Sequence, residues 1–514
     1  VGEPPFRRLL VANRGEIAIR VMRACRELGV ETVAVYSEAD VDALHVRAAD
    51  RSVCLGPPPA SQSYVRGDRI VEAAVETGAE AVHPGYGFLS EQASFAEACI
   101  AAGLVFVGPA PETLASLGDK LAARRSAIAA GVPITPGTLE PLPIDTSPAG
   151  MERLASTAAG IGYPLLVKAA AGGGGRGMRR VDAESELAAA VVAAAREAQA
   201  SFGDGAVYLE RYVEGARHVE VQLLGDATGT IVALGERDCS TQRRHQKLVE
   251  EAPAPGLSPA QRRDLHGLAV AVAQTVGLRN AATAEFLLDR DGQPAFLEVN
   301  ARLQVEHGVT ELVTGLDLVH EQLWIAAGRP LSPAVMKAAE QAADPERHAI
   351  EARVSAEDPS RDFAPAPGRI TRWREPGGPG VRVDSGVELG TTVSAEYDPL
   401  LAKVMVVAPD RPMAIARLAR AIDEWETGGI QTTLPFHRWL VRHPAFTNAD
   451  LRTDLVARDW EPGPLREAAG RVAAAAVAAA MATGDGTAGP ERGTDRSPDG
   501  WTQAARREAT ERWR

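Results

Sequence analysis

The first hundred residues alternate between two hydrophobic rhythms. Unbroken apolar-rich runs at 9–12 (Leu-Leu-Val-Ala) and 32–36 (Thr-Val-Ala-Val-Tyr) have the length and composition of buried strands. Between them, Ile17, Val21, Ala24 and Leu28 fall on one face of a helix predicted over 16–28, and Gly29 stands where that helix stops. The alternation continues with a helix over 69–76 ended by Gly78, a strand over 81–83, a helix over 94–102 ended by Gly103, and a strand over 105–107. Strands separated by crossover helices predict a parallel sheet.

Beyond this region the rhythm changes. Residues 133–148 are rich in proline and read as the entry to a new module. A strand-rich segment is expected to follow, ending near Val213, and strands and helices mix again over 219–318. Short strand-like runs broken by Gly and Pro occupy 368–406, and 413–425 is helical. Residues 483–500 have the composition of a disordered linker, 501–514 form a short charged helix candidate, and no internal repeat is found.

A length of 514 residues allows about three domains. The net charge of −13 argues against a general nucleic-acid binder. Cys25, Cys54, Cys99 and Cys239 form no C-x-x-C pair, so neither a zinc site nor a disulfide framework is expected, and reduced cytosolic thiols fit. No signal-peptide pattern or membrane-length apolar stretch is present.

Candidate chemistry sits in four places. Lys168 ends an apolar run and leads into Gly172, Gly173, Gly174 and Gly175, then Arg176. Glycines let the backbone approach a ligand and aim N–H groups at an anion, so this is a candidate phosphate cradle. It is not a Walker loop, because the lysine precedes the glycines. The turn after the first strand, Ala12-Asn13-Arg14-Gly15-Glu16, has one glycine and disfavours NAD. Glu285 and Glu298 lie in two strand-like runs joined by Asp-Arg-Asp-Gly-Gln, a hairpin that brings both carboxylates together. With Asn300 on the face of Glu298, the trio suits Mg²⁺ bridging to nucleotide phosphates. If 300–306 is extended, Asn300, Arg302, Gln304 and Glu306 share one face, suited to a small oxyanion with Glu306 as a base. The polar run Asp238 to Lys247 reads either as a solvated basic loop or as a source of anion contacts, Lys247 for an anionic substrate and His245 for phosphate; Cys239 reads as a small buried residue, His218 is ambiguous, and His83 reads as a turn residue.

Taken together, these segments resemble a biotin carboxylase of the ATP-grasp superfamily. The matching strings are 11–18 (VANRGEIA), 83–91 (HPGYGFLSE), the glycine run, 242–247, 302–307 and 351–359 (EARVSAEDP). The resemblance spans residues 6 to about 460. It implies an α/β and α+β chain: a Rossmann-like parallel-sheet domain over 1–118, an ATP-grasp domain over 119–335 with a mobile lid at about 140–213, a small β-barrel-like domain over 345–460, and an Ala- and Gly/Pro-rich tail over 465–514.

The same resemblance implies roles. ATP would meet Lys120, Lys168, Gly174, Gly175, His218, Gln242, His245, Glu285 and Glu298, with Glu210, Arg211, Tyr212 and Val213 at the adenine. Glu285, Glu298 and Asn300 would hold Mg²⁺ or Mn²⁺. Lys247, Arg302, Gln304 and Val305 would bind bicarbonate, Glu306 would be the base, and Arg353 would stabilise the biotin enolate. Ala301 and Gly308 depart from residues common in the family, Gly308 standing where proline is usual. No Ala-Met-Lys-Met biotin-attachment motif occurs in this sequence, so the implied partners are a biotin carboxyl carrier, either a separate protein or a domain missing from this chain, and a carboxyltransferase, in a cytoplasmic homodimer. Acetyl-, propionyl- and methylcrotonyl-type systems all fit. The competing readings are another ATP-grasp ligase and an inactive scaffold protein.

Overall fold

A computed structural model of the chain describes residues 3–143, 147–170 and 178–467, with 470, 471, 474 and 475 beyond. The first unit is a five-stranded parallel sheet in the order Arg51–Gly56, Glu31–Ser37, Arg8–Val11, Ala81–His83, Val105–Phe106. Leu9, Leu10 and Val11 take the centre and are fully buried, as an unbroken apolar run requires when helices cover a parallel sheet. The Gly15–Glu27 helix lies within one residue of its predicted span, and Gly29 follows it at φ +75°. The edge strand Arg51–Gly56 escaped the sequence reading because most of its side chains are exposed or half-buried, which leaves no apolar run to detect.

The second unit is an eight-stranded sheet with every neighbour antiparallel. Its order is Pro294–Asn300, Asn280–Leu288, Arg217–Gly225, Ile231–Arg243, Gln246–Ala252, His348–Ser355, Leu400–Ala408, Val381–Ser385. The C-terminal part, expected as a small β-barrel-like domain, takes the form of three strands that extend this sheet, flanked by three two-stranded ladders. Its core packs Trp425, Phe436 and Phe446 against Val404 and Val406. The predicted helix over 413–425 is Arg411–Glu424, with Asp410 accepting from the Met413 N–H at its start.

Residues 147–213 correct the expectation of a strand-rich segment. Two helices, Pro148–Ile161 and Glu184–Phe202, pack beside a three-stranded sheet of Leu165–Ala169, Arg179–Val181 and Val207–Arg211. The 19-residue second helix contains eight alanines (188–190, 193–195, 198 and 200), and alanine has the highest helix propensity. The glycine run, with Gly174 and Gly175, lies outside the described residues, as does nearly all of the tail.

Candidate active site

The site is built on the polar face of the antiparallel sheet. Asn280–Leu288 and Pro294–Asn300 form the predicted hairpin, and Glu285 stands directly opposite Glu298 in its register. Asp289 holds the turn by accepting from the N–H groups of Asp291 and Gln293, both at 2.9 Å. Glu285 accepts from Asn300 at 2.9 Å and from Lys247 at 3.0 Å, and its other oxygen lies 2.9 Å from His218. Burial alone would favour its protonated form, but Lys247 and His218 hold it well below the usual carboxylate range.

Glu298 is in the opposite condition. Among the described residues no hydrogen-bond donor reaches its carboxylate, and burial, then the charge of Glu285, pushes its proton affinity up. A divalent cation between the two carboxylates would relieve both penalties, so the donor set fits a hard, oxygen-seeking ion.

Beside the hairpin, Lys247 Nζ donates to three carboxylates: Glu220 at 2.5 Å, Glu306 at 2.7 Å and Glu285. These partners outweigh burial and hold its ammonium charged. Glu306 is fully buried at the N-cap of the His307–Thr314 helix, where the helix dipole favours an anion. Its second oxygen accepts from Arg353 at 2.9 Å, and Arg353 also donates to Glu250 at 2.7 Å. Against the effect of burial, Lys247 and Arg353 keep Glu306 ionised well below its ordinary pKa.

The segment after Asn300 corrects the extended-strand expectation. The strand ends at Asn300, and 301–306 is irregular before the helix begins. Arg302 nevertheless gathers the predicted neighbours, donating to Asn300 at 3.2 Å and Gln304 at 3.1 Å. It is anchored from the parallel-sheet unit by Glu91, which accepts from Arg302 Nε at 2.9 Å and from the Ala301 N–H at 3.2 Å. Gln304 is buried and its amide Nε2 has no partner among the described residues. Beside a guanidinium, that free donor suits an incoming oxyanion. The Val305 carbonyl accepts from Lys403 at 2.7 Å.

Lys168 donates to Glu210 at 3.2 Å, and Glu210 also accepts from Arg124 at 3.1 Å. The Glu210 side chain is therefore spent on an internal ion cluster, while Arg211 and Tyr212 continue past it, half-buried. Lys120 opens the Lys120–Ala129 helix; burial lowers its pKa while Glu298 opposes that shift. Gln242 is buried with its amide near the Cys239 carbonyl, and His245 sits in the exposed turn before Gln246–Ala252 at φ +68°. Cys239 is fully buried, as expected. His83 accepts from the Gly85 N–H at 3.0 Å, the turn role read from the sequence.

The chain is similar to known proteins over most of its length. Residues 5–114 match the biotin carboxylase N-terminal domain, 119–334 the carbamoyl-phosphate synthase L chain ATP binding domain, and 351–458 the biotin carboxylase C-terminal domain. A biotin carboxylase from Nostoc sp. is 47% identical over 451 residues, covering 88% of this chain and 98% of that one. The chain belongs to the biotin carboxylase family. It is an ATP-dependent ligase. A pyruvate carboxylase subunit from Methanothermobacter thermautotrophicus is likewise 47% identical over 451 residues, covering 88% of this chain and 89% of that one. The biotin carboxylase domain dimer of Hydrogenobacter thermophilus 2-oxoglutarate carboxylase, solved with MgADP, ADP and bicarbonate, aligns with a TM-score of 0.83 at 42% identity, covering 88% of this chain and 97% of that one.

For a biotin carboxylase, the sequence reading overlooked much of the charge that frames Lys247 and Arg353. Glu220, Glu250, Arg237 and Glu91 all touch the cluster or its supports. Glu220 carried a readable signal: His218, Glu220 and Gln222 alternate with Val219 and Val221, which marks one polar face of a strand. Glu91 carried none, because its partner Arg302 is 211 residues away.

Proposed function

We propose that the chain carboxylates biotin on a biotin carboxyl carrier protein or domain, using ATP and bicarbonate, as the first half-reaction of an acyl-CoA carboxylase of acetyl-CoA or propionyl-CoA type. The observation that carries this reading is the buried Glu306 carboxylate held by Lys247 and Arg353, with Arg302 bonded nearby to Gln304, whose amide is free among the described residues. Cationic and amide donors beside a base are what bicarbonate binding and deprotonation require.

Bicarbonate is a poor electrophile, so it is activated by phosphoryl transfer to carboxyphosphate, a step that depends on positioning and charge neutralisation. Arg302, Gln304, Lys247 and the Val305 backbone bind bicarbonate. Glu306 accepts its proton. A carboxylate held by two cations is a weak base, but the entering anion competes for Lys247, and weakening that pair raises the proton affinity of Glu306. Lys120, Lys168, His218, Gln242 and His245 hold ATP together with Gly174 and Gly175, and the 210–213 segment meets the adenine. Glu285, Glu298 and Asn300 would hold Mg²⁺ or Mn²⁺, which when bound supplies neutralisation of phosphate charge. Carboxyphosphate yields CO₂ and phosphate. The phosphate takes the N1′ proton of biotin, and the enolate, stabilised by Arg353, attacks CO₂.

A homodimer served by a carrier and a carboxyltransferase in the cytoplasm completes the proposal. The acyl-CoA assignment goes furthest, since two of the three relatives named above carry pyruvate and 2-oxoglutarate carboxylase names. Co-purification of the carrier and transferase, followed by assay of the acyl acceptor, tests it. Arg302→Ala is expected to lower biotin carboxylation by at least about 100-fold while ATP binding survives. Activity that persists in this variant overturns the site assignment.

A further inference from the structure

Behind Arg353 lies a pair of carboxylates that the reaction above does not use. Gln246–Ala252 and His348–Ser355 are antiparallel neighbours, and Glu250 stands directly opposite Glu351 in their register. Both residues are fully buried. Glu250 Oε1 accepts from Arg353 Nε at 2.7 Å and from its NH2 at 2.5 Å. The other three oxygens, Glu250 Oε2 and both of Glu351, are buried with no hydrogen-bond partner among the described residues. The cation acting most on Glu351 is Lys403, whose hydrogen bonds go elsewhere, to the Val305 carbonyl and to Glu16 at 3.2 Å.

We propose that Glu250 and Glu351 share one proton and act as a positioning pair for Arg353, with Glu250 gripping the guanidinium and the protonated partner keeping the charge behind it at minus one. Two carboxylates facing each other in a fully buried site cannot both ionise at ordinary cost. The groups facing the pair are Arg353, Lys247 and Cys239 on its own sheet, Glu306 at the helix start, and Lys403 with Glu16 behind it. Burial dominates this balance, raising Glu250 to about 7 and Glu351 well above the ordinary range. With one proton present, Arg353 is shared between Glu250 and Glu306 and can turn toward a developing enolate. Loss of that proton adds a second charge behind Arg353 and draws the guanidinium away from the substrate side.

This inference rests on the biotin-carboxylation reading for its consequence, and its test separates the two. Biotin-stimulated turnover of the wild-type chain decides the reading. For the pair, kcat is measured against pH in the wild type and in Glu351→Gln, which fixes the neutral charge state. The expected result is an alkaline fall in kcat that moves up by at least about one pH unit in the variant, one unit being a tenfold change in proton occupancy. Superimposable alkaline limbs overturn the proposal. Infrared spectra of the folded proteins supply a readout independent of activity: a protonated-carboxyl carbonyl band at pH 7 that weakens in Glu351→Gln supports the pair, and a band unchanged by the substitution overturns it. Should Glu351→Gln fail to fold, Glu351→Leu, which also removes the protonated carboxyl, takes its place in the infrared measurement with the same two outcomes.

Discussion

Gly308 shows how a single departure from the family pattern is accommodated. A Cβ built at this position would overlap Met405 Sδ, and Glu351 Oε2 would lie 3.7 Å away. Met405 is fully buried on the neighbouring strand, so its sulfur fills the space that a larger residue at 308 would need. The two positions are therefore matched in volume. Gly308→Ala is expected to destabilise the fold by about 1–3 kcal/mol through overpacking. Adding Met405→Val should recover most of that loss, a coupling that denaturant unfolding of the two single variants and the double variant would reveal. Additive losses in the double variant would show that the sulfur is not the obstacle.

Among the elements, the contact that matters most joins the two sheets. Glu91 follows the parallel-sheet strand Ala81–His83, and its carboxylate fixes both the backbone of Ala301 and the side chain of Arg302. Orientation of the proposed bicarbonate site is thus set by a unit that contributes none of its binding groups. Glu91→Ala is expected to raise the KM for bicarbonate by about tenfold, the scale of a lost charged hydrogen bond, with ATP affinity unchanged. Equal losses in both would mean that the contact supports the whole fold instead. The sequence disclosed one side of this arrangement and not the other. The Glu285/Glu298 hairpin was legible because its turn residues and period-two alternation are local. Gln304 and Arg302 were legible as chemistry, but their geometry was misread, since nothing local says that the strand stops at Asn300. Glu250 and Glu351 were invisible as a pair because register between strands about 100 residues apart is a tertiary property.

At the scale of the whole molecule, buried titratable groups pull stability in opposite directions with pH. His45, His83 and His437 are all fully buried, and burial lowers each to about 4. An unfolded imidazole titrates near 6.5, so between about pH 6.5 and 4 the unfolded chain binds protons that the fold refuses. Stability from these groups is full above 6.5 and falls as pH drops through that window, by up to about 3 kcal/mol each. Glu250 works the other way. Its folded pKa of about 7 lies above the unfolded carboxylate value near 4.3, so its relative contribution is full below 4.3 and is lost as pH rises through 7. The two sets cancel in part where their windows overlap, between about pH 4.3 and 6.5. His45 lies outside the proposed site, and its Nδ1 is buried without a partner among the described residues. His45→Gln removes one member of the first set and leaves the second intact. Urea unfolding at pH 7 and at pH 4.5 should then show the variant gaining on the wild type at the lower pH, by about 1–3 kcal/mol. A stability difference that does not change between the two pH values would mean that His45 is protonated in the fold, with Asp40, which opposes the effect of burial, as its counter-charge.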